Sequence, residues 1–115
     1  MQLTDFKLKT PDTYYITERD NGKVKSYKVK AEKITSNLFP KADLFIHKSA
    51  GLYRISEGHT GSWLVAGKTK AAAILLMSNK LRGKRMRNGG FERIVLDAIY
   101  ANGLSPRYEV INASK

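Results

Sequence analysis

A chain of 115 residues with 42% hydrophobic content, no cysteine and two histidines has room for one domain, and it excludes disulfides and thiolate metal sites. Its 21 Lys and Arg against 10 Asp and Glu leave a net charge of +11, which favours anionic partners. Met1-Gln2-Leu3-Thr4-Asp5 leads into no apolar signal segment, and the longest apolar run, Ala71 to Met77, is far short of a membrane span, so a single soluble domain over 1–115 in a reducing, cytoplasmic setting is expected.

The first dozen residues read as an arm or a short edge strand that ends in the turn Thr10-Pro11-Asp12. Thr13 to Thr17, β-branched and aromatic, predicts a strand. Asn21-Gly22 then predicts a tight hairpin, because both central residues of that turn need positive φ. The return strand, Lys23 to Ala31, loses its alternation at Val24-Lys25-Ser26-Tyr27, where a β-bulge would restore the phase. Its lysines suit an exposed edge, where they block edge-to-edge pairing.

Residues 32–42 carry no clear period. Leu44 to Lys48, Leu52 to Glu57 and Ser62 to Ala66 follow as three short strands of a meander, joined at Ser49-Ala50-Gly51 and His59-Thr60-Gly61. Alternation points Leu44, Ile46, Tyr53, Ile55, Trp63 and Val65 inward. Thr69 is placed to cap a helix over Lys70 to Leu81, and that helix is apolar nearly all round, which predicts deep packing. Phe91, Ile94, Val95, Ala98 and Ile99 keep helical spacing, with Gly103 at the C-terminal cap position. A last strand runs from Arg107 to Ile111. Strands first and helices later predict an α+β domain, an antiparallel sheet made of an N-terminal hairpin plus a three-strand meander, with two C-terminal helices packed on one face.

The positive charge is weighted to the second half. Between Glu57 and Glu92 there is no carboxylate, while Arg82-Gly83-Lys84-Arg85-Met86-Arg87-Asn88-Gly89-Gly90 alternates basic side chains with Gly and Asn between the two helices. Glycines admit close backbone approach to a phosphate, and Arg adds paired hydrogen bonds to it. Lys68, Lys70, Lys80, Arg82, Lys84, Arg85, Arg87 and Arg93 are therefore the candidate binding residues for nucleic acid or an acidic partner surface.

Three other features have plainer readings. Gly67-Lys68-Thr69 resembles the end of a phosphate-binding loop, but five residues separate Gly61 from Gly67 where that loop needs four, and those five read as a strand. Glu57-Gly58-His59-Thr60 gathers an acid and an imidazole in a turn, although hairpin neighbours rarely converge on one reacting atom. Trp63 could stack a base, yet a lone Trp in a small domain belongs more often to the core; His47 reads as an exposed or core-edge strand residue. No catalytic residue, metal site or cofactor is assigned.

The stretch Tyr53-Arg54-Ile55-Ser56-Glu57, Thr60-Gly61 and Val65 to Ile74 resembles a strand–turn–strand–helix unit in small accessory proteins of bacteriophages and mobile elements. The resemblance implies a viral protein acting in a bacterial host cytoplasm, where such proteins bind DNA or RNA or, as anti-CRISPR proteins do, disable a host nucleic-acid enzyme. Three functions are thus expected in turn: a nucleic-acid-binding module, an inhibitor docking on a nucleic-acid-handling enzyme, and a small nuclease using His59 and Glu57.

Overall fold

The computed structural model describes residues 2–85 and 90–111, with Lys84 and Arg85 as backbone only. A 3-10 turn, Leu3–Asp5, leads into β1 (Phe6–Leu8), which pairs antiparallel with the last strand, β8 (Tyr108–Val110). A two-stranded ribbon follows, β2 (Tyr14–Asp20) and β3 (Lys23–Val29), turning at Asn21-Gly22 with φ of 52° and 80°. The sheet proper is a four-strand antiparallel meander: β4 (Glu32–Ile34), β5 (Leu44–Ser49), β6 (Leu52–Glu57) and β7 (Trp63–Gly67). β4, drawn from the stretch without a clear period, is the added fourth strand. Two helices close the chain, α1 (Lys70–Arg85) and α2 (Gly90–Asn102), giving the expected α+β domain with both helices against the meander. No helix among the described residues is long and apolar enough to cross a membrane.

One face of the meander forms the core. Leu44, Ile46, Ile55 and Val65 pack against Ala73, Met77 and Leu81 of α1 and Phe91, Val95 and Ile99 of α2. The close approach of α1 depends on Gly67, whose position leaves a Cβ only 2.7 Å from the Ala73 amide. Thr69 caps α1 as expected, its hydroxyl accepting from the Ala72 N–H at 3.0 Å. Gly103, with φ of 87°, ends α2 by donating to Ile99 at 2.8 Å.

Three expectations are corrected. The apolar girdle of α1 is not deeply packed: one helix on a sheet buries a single stripe, here Ala73, Met77 and Leu81, and leaves Ile74, Leu75 and Leu76 exposed. The ribbon keeps its register without a bulge, because β3 is exposed along nearly its whole length and has no buried phase to restore. The bulge lies instead in β7. Ile55 pairs with Val65, but the next residue, Ser56, pairs with Trp63, so Leu64 is the extra residue. Trp63 is thereby turned off the core face and stands 58% exposed, while Leu64 packs partly buried against the core.

The second face of the meander is covered at one end by the root of the ribbon. The Tyr14 and Phe45 rings meet at 4.9 Å, and the Thr17 N–H donates to Gly61 at 3.0 Å. The Thr17 hydroxyl also donates to the Thr60 carbonyl.

Behind this layering is a buried charge cluster. Arg107 donates from Nε and Nη2 to the two oxygens of Asp43 at 2.8 and 3.0 Å. Its Nη1 reaches the carbonyls of Thr10, Pro11 and Thr13 at 2.8, 2.8 and 2.9 Å, and the guanidinium lies 4.2 Å from the Tyr14 ring centre. The Tyr108 hydroxyl donates to Asp43 at 2.8 Å, and Lys33 Nζ stands 3.7 Å away. Burial pushes the Asp43 carboxyl up, but the hydrogen bonds from Arg107 and Tyr108 and the charges of Arg107 and Lys33 outweigh it and hold it below the usual carboxylate range. Removing one partner leaves the other charge buried and unmet. Arg107→Met is expected to lower unfolding free energy by about 3–5 kcal/mol, read as a fall in the urea midpoint at neutral pH.

Candidate nucleic-acid interface

Among the described residues, the cations singled out in the sequence are spread along α1 and beyond it, and those that are paired have separate partners. Lys68 is exposed in the turn between β7 and α1. Lys70, in the first turn of α1, pairs with Glu32 at 3.0 Å, and Lys80 donates to the Leu64 carbonyl at 2.8 Å. Arg82 reaches Asn79 at 3.4 Å, and Arg93 pairs with Asp97 at 3.3 Å. The basic linker is shorter than expected, because α1 runs through Arg85: Arg82, Lys84 and Arg85 are helical rather than in a glycine-rich loop. The side chains of Lys84 and Arg85, and Arg87 entirely, lie outside the described residues. At about 1.5 Å per residue, roughly 18 Å of helix separates Lys70 from Arg82.

The side chains that do converge lie on the second face of the meander. The two-residue turn Ala50-Gly51, with φ of 53° and 79°, sets the pairing of β5 with β6. His47 therefore stands opposite Arg54 and Phe45 opposite Ser56, and Ser56 in turn neighbours Trp63 across β7. Cross-strand partners share a face, so His47, Arg54, Ser56 and Trp63 lie together. The ribbon closes over them with Ile16, Thr17, Glu18 and Arg19, leaving a cleft of about 420 Å³.

The chemistry of the cleft is polar and cationic. The Arg54 guanidinium sits 5.5 Å from the centre of the Trp63 ring. Arg19 is anchored through Nη2 to the side chain of Asn102 at 2.7 Å, and with Trp63 it lines a second, smaller cleft on the other flank of the indole. At the floor, His47 is 6% and Ser56 0% exposed. Neither ring nitrogen of His47, nor the Ser56 hydroxyl, has a hydrogen-bond partner among the described residues. Burial, and then the charge of Arg54, hold the His47 imidazole below its ordinary pKa, in its neutral form near pH 7.

Sequence reasoning named Trp63 and His47 only singly, and it passed over Arg19, Arg54 and Ser56. A signal was present: the alternate positions 45, 47 and 49 face 56, 54 and 52 once a two-residue turn is placed at Ala50-Gly51.

The Glu57 and His59 side chains do meet, against the expectation for hairpin neighbours. His59 Nδ1 lies 2.6 Å from Glu57 Oε2, which also accepts from the His59 N–H at 2.8 Å. The other carboxylate oxygen accepts from the Thr60 N–H and hydroxyl at 3.1 and 3.2 Å. His59 stacks on Tyr108 with ring centres 4.0 Å apart, at one wall of a largely apolar cavity of about 610 Å³. The described hydrogen bonds of the Glu57 carboxylate all go to His59 and Thr60, within the turn. Among the described residues, no group of three or more His, Cys, Asp or Glu is arranged to hold a metal.

No protein-family model, curated protein or solved structure matches the chain.

His47 gives the cleft a pH signature. Because its folded pKa lies below the ordinary value of about 6.5, the unfolded chain takes up the proton first as pH falls. Its favourable contribution is complete above about pH 6.5 and is lost below it, down to the folded pKa. Urea unfolding at about pH 7 and pH 5 should show a smaller acid loss of stability in His47→Leu than in the parent. An equal loss in both would place the titration elsewhere.

Proposed function

We propose that this chain is a binding protein for nucleic acid, held mainly through backbone phosphates. The supporting observation is the distribution of charge in the fold. Asp20, Glu32, Asp43 and Asp97 are each taken up by a basic side chain, and Glu57 is spent on its own turn. Among the described residues, exposed cations such as Lys28 on the ribbon, Lys48 at the end of β5 and Lys68 before α1 are left without a carboxylate partner. Such a field attracts a phosphate backbone from any approach and releases its counterions on contact. A bacteriophage or mobile-element setting joins this reading only through the resemblance of the segment from Tyr53 to Ile74.

One observation favours a second reading. Ile74, Leu75 and Leu76 form an exposed apolar strip on α1, between Lys70 and Lys80. A basic, partly apolar helix face of this kind suits an inhibitor that docks on a nucleic-acid-handling enzyme.

Mobility-shift titrations with duplex DNA, single-stranded DNA and RNA decide between them. With about four phosphates engaged, affinity should fall on the order of 10²-fold between about 50 and 200 mM salt. Lys28→Glu combined with Lys68→Glu should weaken every nucleic acid and flatten the salt slope, with the urea midpoint unchanged. If no nucleic acid binds at the lowest salt, the nucleic-acid reading is wrong and docking on a protein takes its place.

A further inference from the structure

A domain this small does not bury three polar atoms without partners at no cost. The His47 ring nitrogens and Ser56 hydroxyl are all in that state, enclosed behind the wall of one cleft. Above them stand the only tryptophan of the chain, more than half exposed, and two arginines. An exposed aromatic ring flanked by two guanidinium groups at a cleft is the arrangement that recognises a flat aromatic ring carrying an anionic group.

We propose that this cleft is a subsite for one unpaired nucleotide of a single strand, its base stacked on Trp63 and its phosphate held against Arg54 and Arg19. The proposal rests on the nucleic-acid reading and narrows it to a substrate class. The volume of about 420 Å³ falls in the range of small-ligand sites, about 300–1,000 Å³. In a duplex the faces of each base are covered by stacking on its neighbours, so a base reaches an aromatic wall beneath a ribbon only when it is unstacked. The lining also explains why one nucleotide is taken and not a longer run of phosphates. Glu18 shares the cleft with the arginines, where it repels a second phosphate and accepts from an exocyclic amine. The Arg19–Asn102 hydrogen bond ties the ribbon to the end of α2 and keeps the opposite wall in place.

Because Trp63 is the only Trp, its own emission reports occupancy. The full-length protein is titrated with a short single-stranded oligonucleotide, with a duplex of the same length and with inorganic phosphate. The single strand should quench Trp63 to saturation, and the other two should leave it nearly unchanged. In parallel, the anisotropy of labelled oligonucleotides is measured with Trp63→Ala, Trp63→Phe and the parent. Trp63→Ala should weaken single-strand binding by about 5- to 150-fold, the worth of one base stack, while duplex affinity stays within about twofold and Trp63→Phe recovers part of the loss. Equal weakening of single strand and duplex, or no weakening of either, overturns the subsite while leaving salt-dependent binding intact. A quench reproduced by inorganic phosphate makes the cleft an anion site without base recognition and also overturns it. Absence of all binding at low salt removes the nucleic-acid reading itself, and this subsite with it.

Discussion

A carboxylate and a guanidinium taken out of water together are stable only when their geometry is close and their remaining hydrogen-bonding groups are met. Asp43 and Arg107 satisfy that condition at the meeting point of four chain segments. Arg107 precedes β8, Asp43 precedes β5, the three carbonyls on Nη1 belong to the loop between β1 and β2, and Gly58 lies in the turn after β6. Gly58 could be no other residue, since a Cβ there would lie 1.8 Å from an Asp43 oxygen. The pair thus ties the segment before β8 and the loop between β1 and β2 to one end of the meander at once. It also sets the ribbon: the Arg107 guanidinium lies over Tyr14, and Tyr14 lies over Phe45, two residues before His47. The cleft inherits its shape from an ion pair on the far side of that aromatic stack.

Much of the fold was legible because its signals are local. Asn21-Gly22 needs positive φ at both positions, Thr69 offers a hydroxyl to the free N–H groups of α1, and the spacing of Phe91, Val95 and Ile99 makes a stripe for the sheet. Leu44, Ile46, Ile55 and Val65 were placed inward correctly for the same reason. The Asp43–Arg107 contact spans 64 positions, and neither residue stands in a local pattern that marks it. The edge strand β4 was also hidden. Only three residues long, it takes its partners from β5 rather than from its own alternation.

The candidate site was less legible because charge along a chain and charge in space are different quantities. A run of Arg, Lys and Gly after α1 dominates the sequence, yet the described part of it continues the helix, and several of its neighbours are occupied by Glu32, Asp97 or backbone carbonyls. Arg19, His47, Arg54 and Ser56 are scattered over three strands and acquire meaning only through register. The two scales also divide the physical work. A net charge of +11 acts over about a Debye length, roughly 8 Å at physiological salt, and raises the encounter rate with any polyanion. Discrimination needs contacts of fixed direction, the kind that the proposed subsite would add to that field.

The bulge in β7 shows how a small domain supports such a site without opening its core. Strict alternation would put Trp63 and Val65 on the same side, with Leu64 facing outward. The extra residue reverses this at one point: Leu64 packs against the core beside Val65, and the indole turns to the ribbon side next to Ser56. The helix-facing layer loses a ring but gains an aliphatic chain, so it stays closed. A large aromatic group is thereby released to the surface, where burial no longer fixes its role and its flanking arginines do. The displacement that defeated the alternation rule is therefore the one that brings Trp63 onto the same face as Arg54, His47 and Ser56.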